Sequence, residues 1–106
     1  MTKIYNKLVR DRIPDIIRDL GLECETKILS DDEYLKMLDA KLNEELSEYH
    51  KDQNIEELAD LLEVIYAATV ARGYTVEELE MVRKNKAEKR GGFDKKIFLI
   101  KTIENK

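Results

Sequence analysis

The chain is poor in the residues that build small-strand folds and in those that do nucleophilic or zinc chemistry. In 106 residues there are one proline, four glycines, one cysteine, one histidine and no tryptophan. So few turn-formers disfavour a sandwich or barrel of many short strands. Cys24 has no second cysteine to pair with, which excludes an internal disulfide and suits a reducing, cytoplasmic compartment. His50 is the single histidine and Ser47 stands three residues before it. The paired Glu-x-x-His motifs of a di-iron bundle are therefore absent, as are the His and Cys sets of catalytic zinc. Neither Ser-His nor Cys-His catalysis has a visible pair, and there is no P-loop or GxGxxG. The opening Met1-Thr2-Lys3-Ile4-Tyr5-Asn6-Lys7 has no apolar signal core. No run approaches the roughly 20 apolar residues of a membrane span, so no membrane partner is expected. Nineteen basic against 23 acidic residues, a net charge of -4, make a nucleic-acid partner unlikely.

What remains is 42% hydrophobic and 40% charged residues, a charge content far above the roughly 25% of an average domain. Enough apolar material for a core, under a large solvated surface, is the composition of exposed helix faces. The length fits one domain over residues 1–106. Pro14 suits a helical first turn. Ile13, Ile16, Ile17 and Leu20 follow at helical spacing, and Gly21 is placed to stop that helix. Leu22 to Leu29 partly alternates and reads as a connector or short strand. Ser30-Asp31-Asp32-Glu33 is a capping box opening a helix to about His50, with Leu35, Leu38, Leu42, Leu46 and Tyr49 as its apolar stripe. Asn54, with Glu57 three residues on, marks another start. From Leu58 to Ala71 the chain is apolar apart from Asp60, Glu63 and Thr69. A helix apolar on nearly every side is expected to be buried on nearly every side, centrally or within an oligomer. Gly73 ends it, and Thr75-Val76-Glu77-Glu78 opens a fourth helix to about Arg90, before Gly91-Gly92. The apolar tail Ile97-Phe98-Leu99-Ile100 and Ile103 reads as a short strand or an arm packed on a neighbour. The expected fold is all-α, a bundle of about four helices with a short extended C-terminal arm, and oligomeric.

The carboxylates stand where apolar residues belong. At 100° per residue, Leu38, Leu42 and Tyr49 share an arc of about 40°, and Glu45 falls about 20° beyond Leu38. Glu48 and Lys41 lie just outside that stripe, and Glu44 points further round. On the next helix Glu57 and Asp60 are about 60° apart, on a side shared with Val64 and Ala68. An antiparallel pair of these helices brings the acids together at a seam, where they repel and lose hydration. Either some are protonated or a cation compensates. Mg²⁺ is the best match, being a hard ion that takes oxygen ligands and is often completed by substrate phosphates. The competing reading is surface ion pairing of these acids with Lys41, Lys51 and others.

Lys41-Leu42-Asn43-Glu44-Glu45-Leu46-Ser47-Glu48, then Glu56-Glu57-Leu58-Ala59-Asp60-Leu61-Leu62-Glu63-Val64, resembles the EExxE…ExxD signature of the all-α nucleoside triphosphate pyrophosphohydrolases related to MazG. Tyr5-Asn6-Lys7-Leu8-Val9-Arg10-Asp11-Arg12-Ile13-Pro14 and Arg90-Gly91-Gly92-Phe93 are similar to the phosphoribosyl-ATP pyrophosphohydrolase-like, or house-cleaning, branch. The resemblance covers almost the whole chain. It implies Mg²⁺-dependent cleavage between the α and β phosphates, giving a nucleoside monophosphate and pyrophosphate, with Mn²⁺ as a substitute metal. It also implies a homo-oligomer, dimer or tetramer. By the same resemblance Glu45, Glu48, Glu57 and Asp60 match the metal-binding acids.

Such a reaction needs charge neutralisation at the phosphates and a positioned water. A carboxylate not fully committed to metal, Glu44 or Glu48, is the candidate to accept the water's proton. Lys7 and Arg10 are candidates for phosphate or base-side contacts. Arg83, Lys86 and Arg90, at i, i+3 and i+7, share a helix face for the same task. Two alternatives stand beside this expectation. One is phosphoribosyl-ATP hydrolysis in histidine biosynthesis, which cleaves the same bond; the other is a non-catalytic helical interaction module with solvated acids.

Overall fold

The computed structural model describes residues 1–105. Four helices follow one another: α1 (Ile13–Asp19), α2 (Asp31–Asp52), α3 (Ile55–Ala71) and α4 (Val76–Arg90). The expected all-helical architecture is observed, and among the described residues no helix is long and apolar enough to cross a membrane. The chain divides into two compact units, Met1–Val76 and the residues from Glu77 onward.

In the first unit, local chemistry sets the helix ends. Pro14 occupies the first turn of α1. The Ser30 hydroxyl accepts from the Glu33 backbone N–H at 3.3 Å, and the Ser30 N–H donates to the Glu33 carboxylate at 3.4 Å. This capping box satisfies donors that the first turn of α2 otherwise leaves open. It also holds the Glu33 carboxyl below its ordinary range, chiefly through the Ser30 hydrogen bond. Gln53 takes a left-handed conformation, φ 51, and its N–H donates to the Tyr49 carbonyl at 2.7 Å. Asn54 then caps α3 by accepting from the Glu57 N–H at 2.9 Å.

With Gln53 and Asn54 alone between them, α2 and α3 form an antiparallel hairpin. Its open end is marked by an ion pair between Arg72, just past α3, and Asp39, early in α2, at 3.7 Å. Leu38 of α2 and Val64 of α3 are buried. On the other side of α3, Ile55, Leu58, Leu62 and Val70, spread over an arc of about 120° opposite Val64, are exposed. The expectation that α3 is buried on nearly every side is thus not met within one chain. Within the first unit α2 covers one face of α3, and the apolar residues of α3 run all the way round.

The expectation of short strands is also corrected. Leu22–Leu29 is irregular, as is the tail through Ile97–Ile103, whose large apolar side chains are exposed; no strand occurs among the described residues. An extended segment without a second backbone beside it has no ladder of hydrogen bonds to join. Segment 22–29 is instead tied to α1 by Cys24, a free thiol whose Sγ lies 4.0 Å from the Pro14 carbonyl oxygen.

The second unit carries most of α4 and the tail. Gly91, φ +82, follows Arg90, and its N–H donates to the Ala87 carbonyl at 2.8 Å. That left-handed position is what glycine supplies after a helix end.

Candidate functional site

The hairpin places acidic residues from two helices at one seam. Glu45 sits one turn after Lys41 and beside the stripe that includes buried Leu38. Glu57 and Asp60 lie on the side of α3 that carries buried Val64, the side turned to α2. Because the turn is only Gln53-Asn54, the last turns of α2 face the first turns of α3. Carboxylate oxygens of Glu45, Glu57 and Asp60, all partly buried, lie within 4.8 Å of one another. A second group shares Glu57: oxygens of Glu48, Asp52 and Glu57 satisfy the same limit. The four acids matched by sequence therefore do converge, but as two overlapping groups around Glu57 rather than as one.

Asp52 is the residue that sequence reasoning missed. The helix was expected to end near His50, which left Asp52 in the spacer; α2 continues to Asp52. The available signal was the i, i+4 relation of Glu48 and Asp52, which puts both on one helical face.

The electrostatics answer the question of what compensates these charges. Burial, and then the nearby Asp52, Asp60, Glu48 and Glu45, push the Glu57 carboxyl above its ordinary range. Cations from the same chain reach Glu45, Asp60 and the neighbouring Glu44. Lys41 lies 3.3 Å from Glu45 and 3.3 Å from Glu44. The Arg10 guanidinium donates to Asp60 at 2.7 Å, and the Lys7 ammonium to Glu44 at 3.4 Å. Glu44 thus sits outside both acidic groups, held between Lys7 and Lys41.

Lys7 and Arg10, the candidates for phosphate or base-side contacts, are both engaged with carboxylates, Arg10 with Asp60 of the acidic group and Lys7 with Glu44 beside it. Arg83, Lys86 and Arg90 lie on α4. Arg83 reaches back one turn to Glu80 through its Nε, at 3.0 and 3.1 Å, and through Nη2. That pairing holds the Glu80 carboxyl below its ordinary range. Lys86 and Arg90 are exposed.

An all-carboxylate donor set suits a hard divalent cation. Around octahedral Mg²⁺, at a metal–oxygen distance of about 2.1 Å, opposite ligands stand about 4.2 Å apart and adjacent ones about 3.0 Å, so oxygens within 4.8 Å of one another have to draw together to share that ion.

Fold and site together define a class: an all-α chain whose central helical hairpin carries a carboxylate cluster at its seam. No family model matches the chain. An uncharacterized protein of Mycolicibacterium smegmatis is 57% identical to it over 42 residues, which make up 40% of this chain and 43% of that protein. The match thus spans less than half of the relative's length. No solved structure matches.

Proposed function

We propose that the protein is a Mg²⁺-dependent nucleoside triphosphate pyrophosphohydrolase, cleaving between the α and β phosphates to release a nucleoside monophosphate and pyrophosphate. The observation that carries this reading is the convergence of Glu45, Glu57 and Asp60 oxygens from two helices within 4.8 Å. Those three residues, with Glu48 and Asp52 as the overlapping group, would hold the metal. When bound, a divalent cation polarises a phosphoryl oxygen and lowers the pKa of a coordinated water. Glu48, exposed and outside the inner group, would accept a proton from water where it is not fully committed to metal. Glu44, already engaged by Lys7 and Lys41, is better suited to positioning those cations than to taking a proton. Arg10 and Lys7 border the seam and supply phosphate-binding charge. The active form is a homo-oligomer, dimer or tetramer, in which a second subunit covers the apolar face of α3.

One observation favours a second reading. Lys41 and Arg10 already neutralise Glu45 and Asp60 without any metal, as in a non-catalytic helical module whose acids are ion-pair partners. The experiment that separates them is a panel of standard and modified nucleoside triphosphates, with phosphoribosyl-ATP included, incubated with Mg²⁺ and resolved by chromatography. Monophosphate and pyrophosphate, lost with EDTA and in Asp60→Asn, are expected. Survival of every nucleotide in the panel overturns the enzymatic reading.

A further inference from the structure

The N-terminal segment does something that no surface ion pair within one helix does: it bridges the seam. Lys7 reaches α2 at Glu44, 37 residues away in sequence, and Arg10 reaches α3 at Asp60, 50 residues away. The two contacts differ in kind. Asp60 belongs to the convergent group with Glu45 and Glu57, whereas Glu44 stands outside both groups. A cation entering the group competes with Arg10 for Asp60 and leaves the Lys7–Glu44 pair untouched.

We infer that Arg10 is an exchange cation: it occupies Asp60 in the metal-free protein, and transfers to a phosphate of the nucleotide when a divalent ion takes Asp60. The inference rests on the metal-site reading above. Three features support it. First, the Arg10–Asp60 pair is open to water, with 58% and 41% of the two side chains exposed, so it is weak and readily broken. Second, a guanidinium and a divalent cation on the same carboxylate repel each other, so occupancy by one disfavours the other. Once released, the planar fork of Arg10 matches phosphate oxygens two at a time. Third, the backbone at Arg10 is anchored, because its carbonyl accepts from the Ile13 N–H at 3.0 Å. With Lys7 still held by Glu44, only the Arg10 side chain has to swing. Lys41, the other cation at the group, does not share this freedom. It is largely covered and is tied to Glu44 as well as Glu45 on its own helix.

The test is isothermal titration of the full chain with Mg²⁺ alone, and then of the Mg²⁺-saturated protein with a non-hydrolysable α,β-methylene nucleoside triphosphate. Wild type, Arg10→Gln and Arg10→Lys are compared. Arg10→Gln is expected to bind Mg²⁺ more tightly by a factor of about 1.4 to 5, the range given by an exposed ion pair, and the analogue about tenfold or more weakly. Arg10→Lys keeps the competing charge without the fork, so its Mg²⁺ affinity stays near wild type while the analogue weakens. A residue that merely holds the fold together weakens both ligands when removed, so opposite signs in one variant identify exchange. Unchanged or weaker Mg²⁺ binding in Arg10→Gln, with wild type binding the ion, overturns the exchange and leaves the metal site standing. Tighter Mg²⁺ binding with undiminished analogue binding overturns the transfer to phosphate. If wild type binds no Mg²⁺, the site reading and the inference fail together.

Discussion

Neutralising Asp60 tests the seam most directly, because two opposing effects of known sign act on one side chain. Asp60→Asn removes the ion pair with Arg10, 2.7 Å long but with both partners substantially exposed. Such a pair is worth about 0.2–1 kcal/mol. The same change removes one of the charges that push Glu57 above its ordinary range, which acts in the stabilising direction. The net effect on the metal-free protein is therefore small, within about 1 kcal/mol either way, or at most about 8 °C in melting temperature for a chain of this size. The metal response should change far more. At a hundredfold excess of Mg²⁺ over its Kd, binding to the folded state adds about 2.7 kcal/mol, a shift of about 10 °C or more. Asp60→Asn should lose most of it. The assay is a set of thermal melts in EDTA and across a Mg²⁺ titration, at one fixed protein concentration so that association does not confound the comparison. Two results refute the reasoning. A collapse of stability in EDTA makes Asp60 a structural ion-pair partner, and an undiminished Mg²⁺ shift in the variant removes Asp60 from the metal site.

Glu57 binds its proton more tightly in the folded chain than in the unfolded one. Its contribution to stability is therefore fully present below the ordinary carboxylate range and is lost as pH rises through the raised folded-state value. Glu57→Gln should be the more stable protein at neutral pH in EDTA, with the difference vanishing on acidification; melts from pH 3 to 8 check this, and a pH-independent difference contradicts it. Asn54 accepts from the Glu57 N–H at 2.9 Å, so Asn54→Ala should cost about 1 kcal/mol in urea unfolding and weaken Mg²⁺ binding by loosening the turn that carries Glu57. Asn54→Ser, which keeps an acceptor, should recover most of both. Leu38 is buried on the hairpin, and Leu38→Ala should cost about 2–5 kcal/mol, measured as a fall in urea midpoint at unchanged slope.

The helices and their ends were legible because their signals are local. The Ser30–Glu33 box, the Asn54 cap and Gly91 each act within a few residues, and the angular arithmetic that put Glu45, Glu57 and Asp60 beside apolar stripes needs only the helical repeat. Asp52 escaped because helix ends fray, and two residues decide whether it lies on the Glu48 face or in a loop. The strands read into Leu22–Leu29 and the tail escaped for a different reason: alternation suggests extended backbone but says nothing of whether a pairing strand exists.

The sequence by itself determined the all-helical architecture, the hairpin turn, and the acidic character of the surface that α2 and α3 turn towards each other. Tertiary structure alone decided which charges meet. From the residues alone Lys7 and Arg10 read equally well as phosphate or base-side ligands or as a surface ion-pair cluster before a helix, and only folding brings Arg10 within 2.7 Å of Asp60, 50 residues on. It also decided that the apolar face of α3 is left open in one chain. Helix formation follows from interactions over a few residues, which periodicity records. Partner choice among charges depends on a path through space, which periodicity does not.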